Sequence, residues 1–299
     1  MNLATAVMMF SVLIPTKLWF APAQPIMINP KAEGEISVVL TDFTGKATEK
    51  GAVDVPAGKE FDLRKLFPEV NRAGTWILFA VPKGKPVGQF VGTPLVIGTR
   101  ADKRQGDAPM VTKVEPLRFA TMETDQGTMT MVFYYDVAPN TAASFLSLAE
   151  QGYYNGLTFH RIVPNFVIQG GDPKGDGTGG PGYQIDAEFN ERRHEEGVLS
   201  MARSGDPLEA QGAPPRSDFA NSAGSQFFVC LAYTQHLDRK YTAFGRVTKG
   251  LDVVKKIAAT PLADQGAGRP AQPPVIKSVK VEPVTAENNP YTAILPNFK

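Results

Sequence analysis

FHRIVPNFVIQGGDP, residues 159–173, sets an arginine inside an apolar run and a glutamine at its far end. Phe159, Ile162, Val163, Phe166, Val167 and Ile168 are aromatic or β-branched, the composition of buried β structure. A guanidinium among them gives up water and needs a reason to stay. Residues an even number apart share a face of a regular strand. That puts Arg161, Val167 and Gln169 on one side unless Pro164-Asn165 interrupts the strand. The stretch reads as a polar pair flanking an apolar floor.

Around it lies a chain of 299 residues, long enough for two domains that each bury a core. With 42% hydrophobic and 20% charged residues its composition is that of an ordinary globular protein. Thirty-one Lys and Arg against thirty Asp and Glu leave no strong net field, which argues against nucleic acid as a partner. Twenty-eight Gly and twenty-five Pro imply many turns, as in a mostly β protein. The single cysteine, Cys230 in QFFVCLA, reads as a small buried hydrophobe, and cysteine usage does not separate a reducing from an oxidising compartment.

LATAVMMFSVLIP (3–15) has the length of a signal-peptide core, is short for a membrane span, and is followed by an A-x-A pattern at Ala21–Ala23. Against this, no Lys or Arg precedes the apolar run, and KLWF (17–20) separates it from that pattern. Residues 1–23 are thus a signal peptide or a first strand. Export to a bacterial periplasm or cell envelope is the expectation, with a cytoplasmic location left open. No other segment approaches a transmembrane span.

Residues 24–113 read as a β-sandwich-like domain of short strand-like pieces separated by turn signals such as AGK and PKGK. This block has no histidine and no cysteine, so its expected role is recognition, spacing or attachment through a partner the sequence does not identify. TRADKRQGDAP (99–109) reads as a linker. A second domain follows at 114–284. It opens with two strands around a Gln-Gly turn, then a helix beginning at Pro139-Asn140 and ending at Gly152, and it holds a second short helix, LDVVKKIAAT. Residues 285–299 are expected to be an extended, accessory tail.

Familiar catalytic motifs fail. GDGTGG (175–180) fits G-x-G-x-x-G, but Pro181-Gly182 follows at once and no helix can open there to receive a pyrophosphate. His194-Glu195 begins like a zinc-protease motif whose fifth position is Val198, and Ile162 stands where a kinase catalytic loop needs aspartate. The three histidines, His160, His194 and His236, are scattered, so no metal and no cofactor is expected.

FHRIVPNFVIQGGDP, GTGG, VLSMAR, GSQFF and HLDRKYTAFGRV remain, in that order. Together they resemble the cyclophilin family of peptidyl-prolyl cis-trans isomerases, over roughly 117–283. The resemblance implies a closed eight-stranded antiparallel β-barrel with two capping helices, a groove on the outside of the barrel, and proline-containing polypeptides as substrates during protein folding. It makes Arg161 and Gln169 the catalytic pair and Phe166, Val167, Phe228 and Leu237 the pocket for the proline ring. Gln226 and the backbone around Ala202 and Arg203 would bind the flanking peptide. Phe227 and Phe228 adjoin on a strand and so face opposite ways, and the match makes Phe227 the core residue.

Four positions depart from the well-known eukaryotic pattern and resemble bacterial members: Val167 for methionine, Arg203 for asparagine, His236 for tryptophan and Tyr241 for histidine. His236 and Tyr241 line the pocket by this match, and loss of the indole implies weaker binding of cyclosporin. About 205–221 are extra residues between two site segments, readable as a tolerated surface loop or as a border of the groove that alters substrate choice. Rotation of an Xaa-Pro bond breaks no covalent bond, which explains why no nucleophile, base or metal motif is needed. A binding module that holds proline segments with little turnover is the competing reading.

Overall fold

The computed structural model describes residues 12–32, 34–101 and 109–295. The chain divides into two compact units, Met1–Arg118 with Glu282–Lys299, and Phe119–Val281.

In the first unit, short apolar runs between turn signals become strands β1 (Leu13–Pro15), β2 (Trp19–Phe20), β3 (Met27–Pro30), β4 (Ile36–Asp42), β5 (Ala47–Val55), β6 (Phe61–Asp62), β7 (Gly74–Pro82), β8 (Val91–Ala101) and β9 (Met110–Pro116). They form a six-stranded sheet in the order β2-β9-β8-β7-β4-β5 and a three-stranded sheet β1-β3-β6. Alternate residues of β4, β7 and β8, such as Leu40, Leu78 and Ile97, share one buried cluster with Leu13 and Ile28 of the smaller sheet. Arg64, in the short helix α1 (Leu63–Leu66), donates from Nε to the Gln24 carbonyl at 2.7 Å and from Nη2 to Thr112 Oγ1 at 3.1 Å. Leu13 and Phe20 are fully buried, so cleavage within residues 21–23 would remove β1 and β2 and open this core. Residues 1–11, most of the apolar N-terminal run, lie outside the described residues, as do 102–108 of the expected linker.

The C-terminal segment is no loose appendage. Tyr291 is fully buried in the first unit, and its hydroxyl donates to the Arg118 carbonyl at 2.8 Å. A large aromatic group at the start of a single 3₁₀ turn, Pro290–Ala293, gives 285–295 an apolar anchor that an extended tail would lack.

The second unit is built on one antiparallel ladder. Its strands are β10 (Arg118–Thr124), β11 (Gly127–Phe133), β12 (Arg161–Val163), β13 (Val167–Gly170), β14 (Val198–Met201), β15 (Phe227–Cys230), β16 (Ala243–Lys249) and β19 (Ile276–Pro283). The order is β12-β13-β15-β14-β16-β11-β10-β19, while β17 (Leu262–Asp264) and β18 (Arg269–Pro270) form a separate pair. The eight strands match the expected number, but the expected closed barrel is an open one. Its edge strands β12 and β19 do not pair with each other; they approach through one bridge, Thr158↔Val275, just ahead of both. That seam carries Phe159 N–H to the Pro274 carbonyl at 2.9 Å and Ile276 N–H to the Leu157 carbonyl at 2.8 Å. Beyond it β12 is three residues long and turns back at once into β13, so no second ladder develops.

Two helices of eight or more residues pack on this sheet, α2 (Pro139–Glu150) and α4 (Leu251–Ala258), and a one-turn α3 (Ser217–Ala220) lies in the extra segment. Pro139 begins α2, and the Glu188 carboxylate accepts the free N–H groups of Asn140 and Thr141 at 3.1 and 2.8 Å. Phe145 of α2 meets Phe133, Tyr154, Phe227 and Phe244, which makes an aromatic core of the sheet's inner face.

Candidate active site

The hairpin β12–β13 explains why an arginine sits in the run 159–173. The strand does not continue through Pro164-Asn165; it reverses there, with Asn165 in the left-handed region at φ 60°. Reversal places Arg161 directly opposite Gln169, Ile162 opposite Ile168 and Val163 opposite Val167. Cross-strand partners share a face, so the polar pair meets by pairing and not by parity along one strand. Arg161 is half-buried, and its Nη1 donates to Gln169 Oε1 at 3.2 Å.

The polar chain continues. Gln169 Nε2 donates to Gln226 Oε1 at 3.0 Å, and Gln226 Nε2 donates to the carbonyls of Gly177 and Gly179 at 2.9 and 2.8 Å. Each amide in this row accepts at its oxygen and donates from its nitrogen. The glycine-rich loop is shaped from its other side by Asp172, whose buried carboxylate accepts the N–H groups of Lys174, Asp176 and Gly177. Residue 179 must be glycine, because a Cβ there would run into that carboxylate.

Next to this polar row lies an apolar floor. Val167, Phe228 and Leu237 belong to one buried cluster, with Phe166, Ala202 and Tyr241 packed against it. Phe228 and Tyr241 meet edge to face, with ring centroids 5.9 Å apart and planes at 74°, and His236 stacks on Phe166 at 5.5 Å. Adjacent Phe227 points the other way, onto Phe145, Tyr154 and Phe159. Behind the floor, His194 stacks on Phe228 and bridges Asp238 and Ser200 at 2.9 and 3.0 Å. Burial holds the His194 imidazole below its usual pKa, with the Asp238 carboxylate opposing that shift. Burial also pushes the Cys230 thiol up to about 12, so it is inert as a nucleophile.

A cavity of about 900 Å³ adjoins the row, lined in part by Gln169, Gln226, Ala202, Lys174, Tyr183 and Ser204. Thus all eleven expected site residues fall in one region, with Arg203 set behind Tyr241 and in contact with its ring. Lys174, Tyr183 and Ser204 of the cavity, and Glu209, which pairs with Arg203 at 2.7 Å, were not singled out from the sequence. Of these only Glu209 carried a local signal, the D-x-x-E spacing of a capping box with Asp206.

A model of cyclophilin type peptidyl-prolyl cis-trans isomerases matches residues 119–281, more than half of the chain. The chain belongs to the cyclophilin family. A peptidyl-prolyl cis-trans isomerase of Synechococcus elongatus is 44% identical over 140 residues, covering 46% of this chain and 87% of that protein. Peptidyl-prolyl cis-trans isomerase B of Bacillus subtilis is 45% identical over 127 residues, covering 42% of this chain and 79% of that one. Among solved structures, the cyclophilin type isomerase of Cryptosporidium parvum is 27% identical with a TM-score of 0.50, covering 56% of this chain and 99% of its own. This cyclophilin is therefore a peptidyl-prolyl cis-trans isomerase, and the first unit is an addition outside the matched region.

Proposed function

We propose that Arg161 is the catalytic residue and that the apolar floor receives the proline ring. The observation that carries this is the row Arg161–Gln169–Gln226 set against Phe166, Val167 and Phe228. Amide resonance gives an Xaa-Pro bond its slow exchange, with a barrier of about 18–20 kcal/mol for peptide rotation. At the twisted state the prolyl nitrogen regains its lone pair. A donor aimed at it binds the transition state better than either planar isomer, which is the condition for catalysis. A guanidinium offers five N–H donors in a planar fork, and with one on Gln169 others are left for the substrate.

Gln169 is occupied at both ends of its amide, which favours steadying the arginine over holding the rotating carbonyl. Gln226 is likewise engaged, so its part is to hold the glycine-rich loop beside the flanking peptide. A rate gain of about 10⁵ corresponds to about 7 kcal/mol, which the arginine contact, desolvation of the ring and fixing of the peptide backbone would share.

The test is cis-to-trans exchange of a short Xaa-Pro peptide, followed by NMR. Arg161→Ala is expected to lose about 10²–10³-fold in rate, as for removal of one transition-state donor, while peptide affinity changes by only a few fold. Equal losses in rate and affinity would make Arg161 a binding residue and leave the transition-state donor to another group. The setting we propose is protein folding in a bacterial cell envelope, with the apolar run 3–15 in support but without cleavage at 21–23, since Leu13–Pro15 is a strand of the first unit, and with that unit serving recognition or attachment. No helix among the described residues is long and apolar enough to cross a membrane.

A further inference from the structure

The extra segment at 205–221 is ordered by its own ion pairs. Asp206, its side chain fully buried, accepts Arg216 Nε and Nη2 at 2.8 and 2.9 Å and the Arg216 N–H at 2.9 Å. Asp206 and Glu209 also form a capping box over the 3₁₀ turn Pro207–Gln211. This fold presents the Glu209 carboxylate to Arg203, which takes it in both arms: Nη2 to Oε1 at 2.7 Å and Nη1 to Oε2 at 3.0 Å.

The Arg203 side chain is only 2% exposed. Its Nε donates to the Lys240 carbonyl at 3.1 Å and its Nη1 also to the Ser204 carbonyl at 2.9 Å, so the guanidinium is fixed in plane and position. Its Cζ lies over the Tyr241 ring, 4.3 Å from the centroid. Tyr241 thus touches both Arg203, which lies over its ring, and Phe228 of the floor, which meets it edge to face. A guanidinium with so little access to water stays only while a carboxylate neutralises it, and a planar bidentate partner also fixes its orientation.

We infer that Glu209 is a positioning residue for substrate recognition: through Arg203 it holds Tyr241 as the wall of the proline pocket. The inference rests on the proposed assignment of that pocket. Ser204, whose carbonyl Arg203 holds and whose N–H donates to Ser222 Oγ at 2.8 Å, carries the same constraint to the rim of the 900 Å³ cavity. The extra segment is on this view part of the binding apparatus, and the contribution of Arg203 lies in its side chain as well as its backbone. When the pair is broken, the guanidinium turns to solvent, Tyr241 loses its backing, and the pocket binds proline less well without any change at Arg161.

The experiment compares wild type, Glu209→Gln and the double variant Arg203→Ala/Glu209→Ala. It reads the Kd of an Xaa-Pro peptide by NMR titration, KM and kcat for isomerisation, the Tyr241 ring resonances, and the melting temperature. Glu209→Gln is expected to raise Kd and KM about fivefold or more, to leave kcat within about twofold, and to shift the Tyr241 signals. The double variant leaves no unpaired cation, stays folded, and shows the same rise in Kd because Tyr241 is again unbacked. Kd and KM within about twofold of wild type in Glu209→Gln would overturn the inference, and so would wild-type affinity in a folded double variant. If wild type binds the peptide without accelerating exchange, the catalytic reading of Arg161 fails; the Kd comparison still decides the role of Glu209.

Discussion

The strands β13 and β15 and the extra segment 205–221 border one groove, yet they are held by different forces. Phe228, Val167 and Gln169 sit on strands whose neighbours on both sides are backbone ladders, β12-β13-β15-β14. Asp206, Glu209, Arg203 and Arg216 sit on a turn of 3₁₀ helix and loop, with no ladder, and are joined by charge-assisted hydrogen bonds. The first kind of support is cooperative with the whole sheet. The second is local, so it can vary without disturbing the floor or the arginine. On the proposed assignment, catalytic geometry belongs to the ladder, and the wall around it to a segment that tolerates insertion.

The largest effect that could break this contrast is expected at the floor. Phe228→Ala removes a ring 95% buried and should destabilise the second unit by about 3–5 kcal/mol, read from urea unfolding. A loss under about 1 kcal/mol would mean that the floor is as locally organised as the extra segment.

Asp206→Asn should act only locally. Proteolytic cleavage within 207–216 is expected to rise about tenfold while the urea midpoint of the whole unit stays in place. A midpoint that falls together with faster cleavage would join the two regions into one cooperative body.

The smallest effect is a separation in pH. His194 and His160 titrate below the usual histidine value, each chiefly because burial disfavours the charged ring; Asp238 partly offsets this at His194 and Asp172 at His160. Unfolded histidines take up protons that these two refuse, so the unfolded state binds more protons below about pH 6.5 and ladder stability declines as pH falls through that window. Asp206 and Glu209 are held below their ordinary values of 3.8 and 4.5, by hydrogen bonds from Arg216 and Arg203 respectively. Their contribution is present above those values and is lost only as pH falls below them. A melting temperature that drops by a few degrees between pH 7 and 5, with the Arg216 side-chain signals unchanged until below pH 4, is the expected result. Loss of those signals at pH 6 would place the weak point in the extra segment instead.

Much of the site was legible in the chain itself. FHRI, GSQFF and the glycine-rich GTGG identify the family because they occur in order, and the apolar residues around Arg161 already mark a floor. The two strands around the Gln-Gly turn are there as β10 and β11, with Met129, Met131 and Phe133 buried along one side of β11. The approach of the two edge strands was not legible, since closure depends on how far β12 runs before its turn. Nor was the attachment of the C-terminal segment, because Tyr291 finds its acceptor at Arg118, 173 residues away.

What the sequence determined by itself is local chemistry: which runs are strands, where they turn, and which residue types stand in the groove. Hydrophobic period and turn preference act over a few residues and can be read along the chain. Tertiary structure alone decided which polar groups meet. Arg203 looked like a residue acting through its backbone, yet Glu209 lies six residues on and Tyr241 thirty-eight. A guanidinium faces water or an aromatic ring according to where a folded loop delivers its carboxylate, and no periodicity along the chain encodes that meeting.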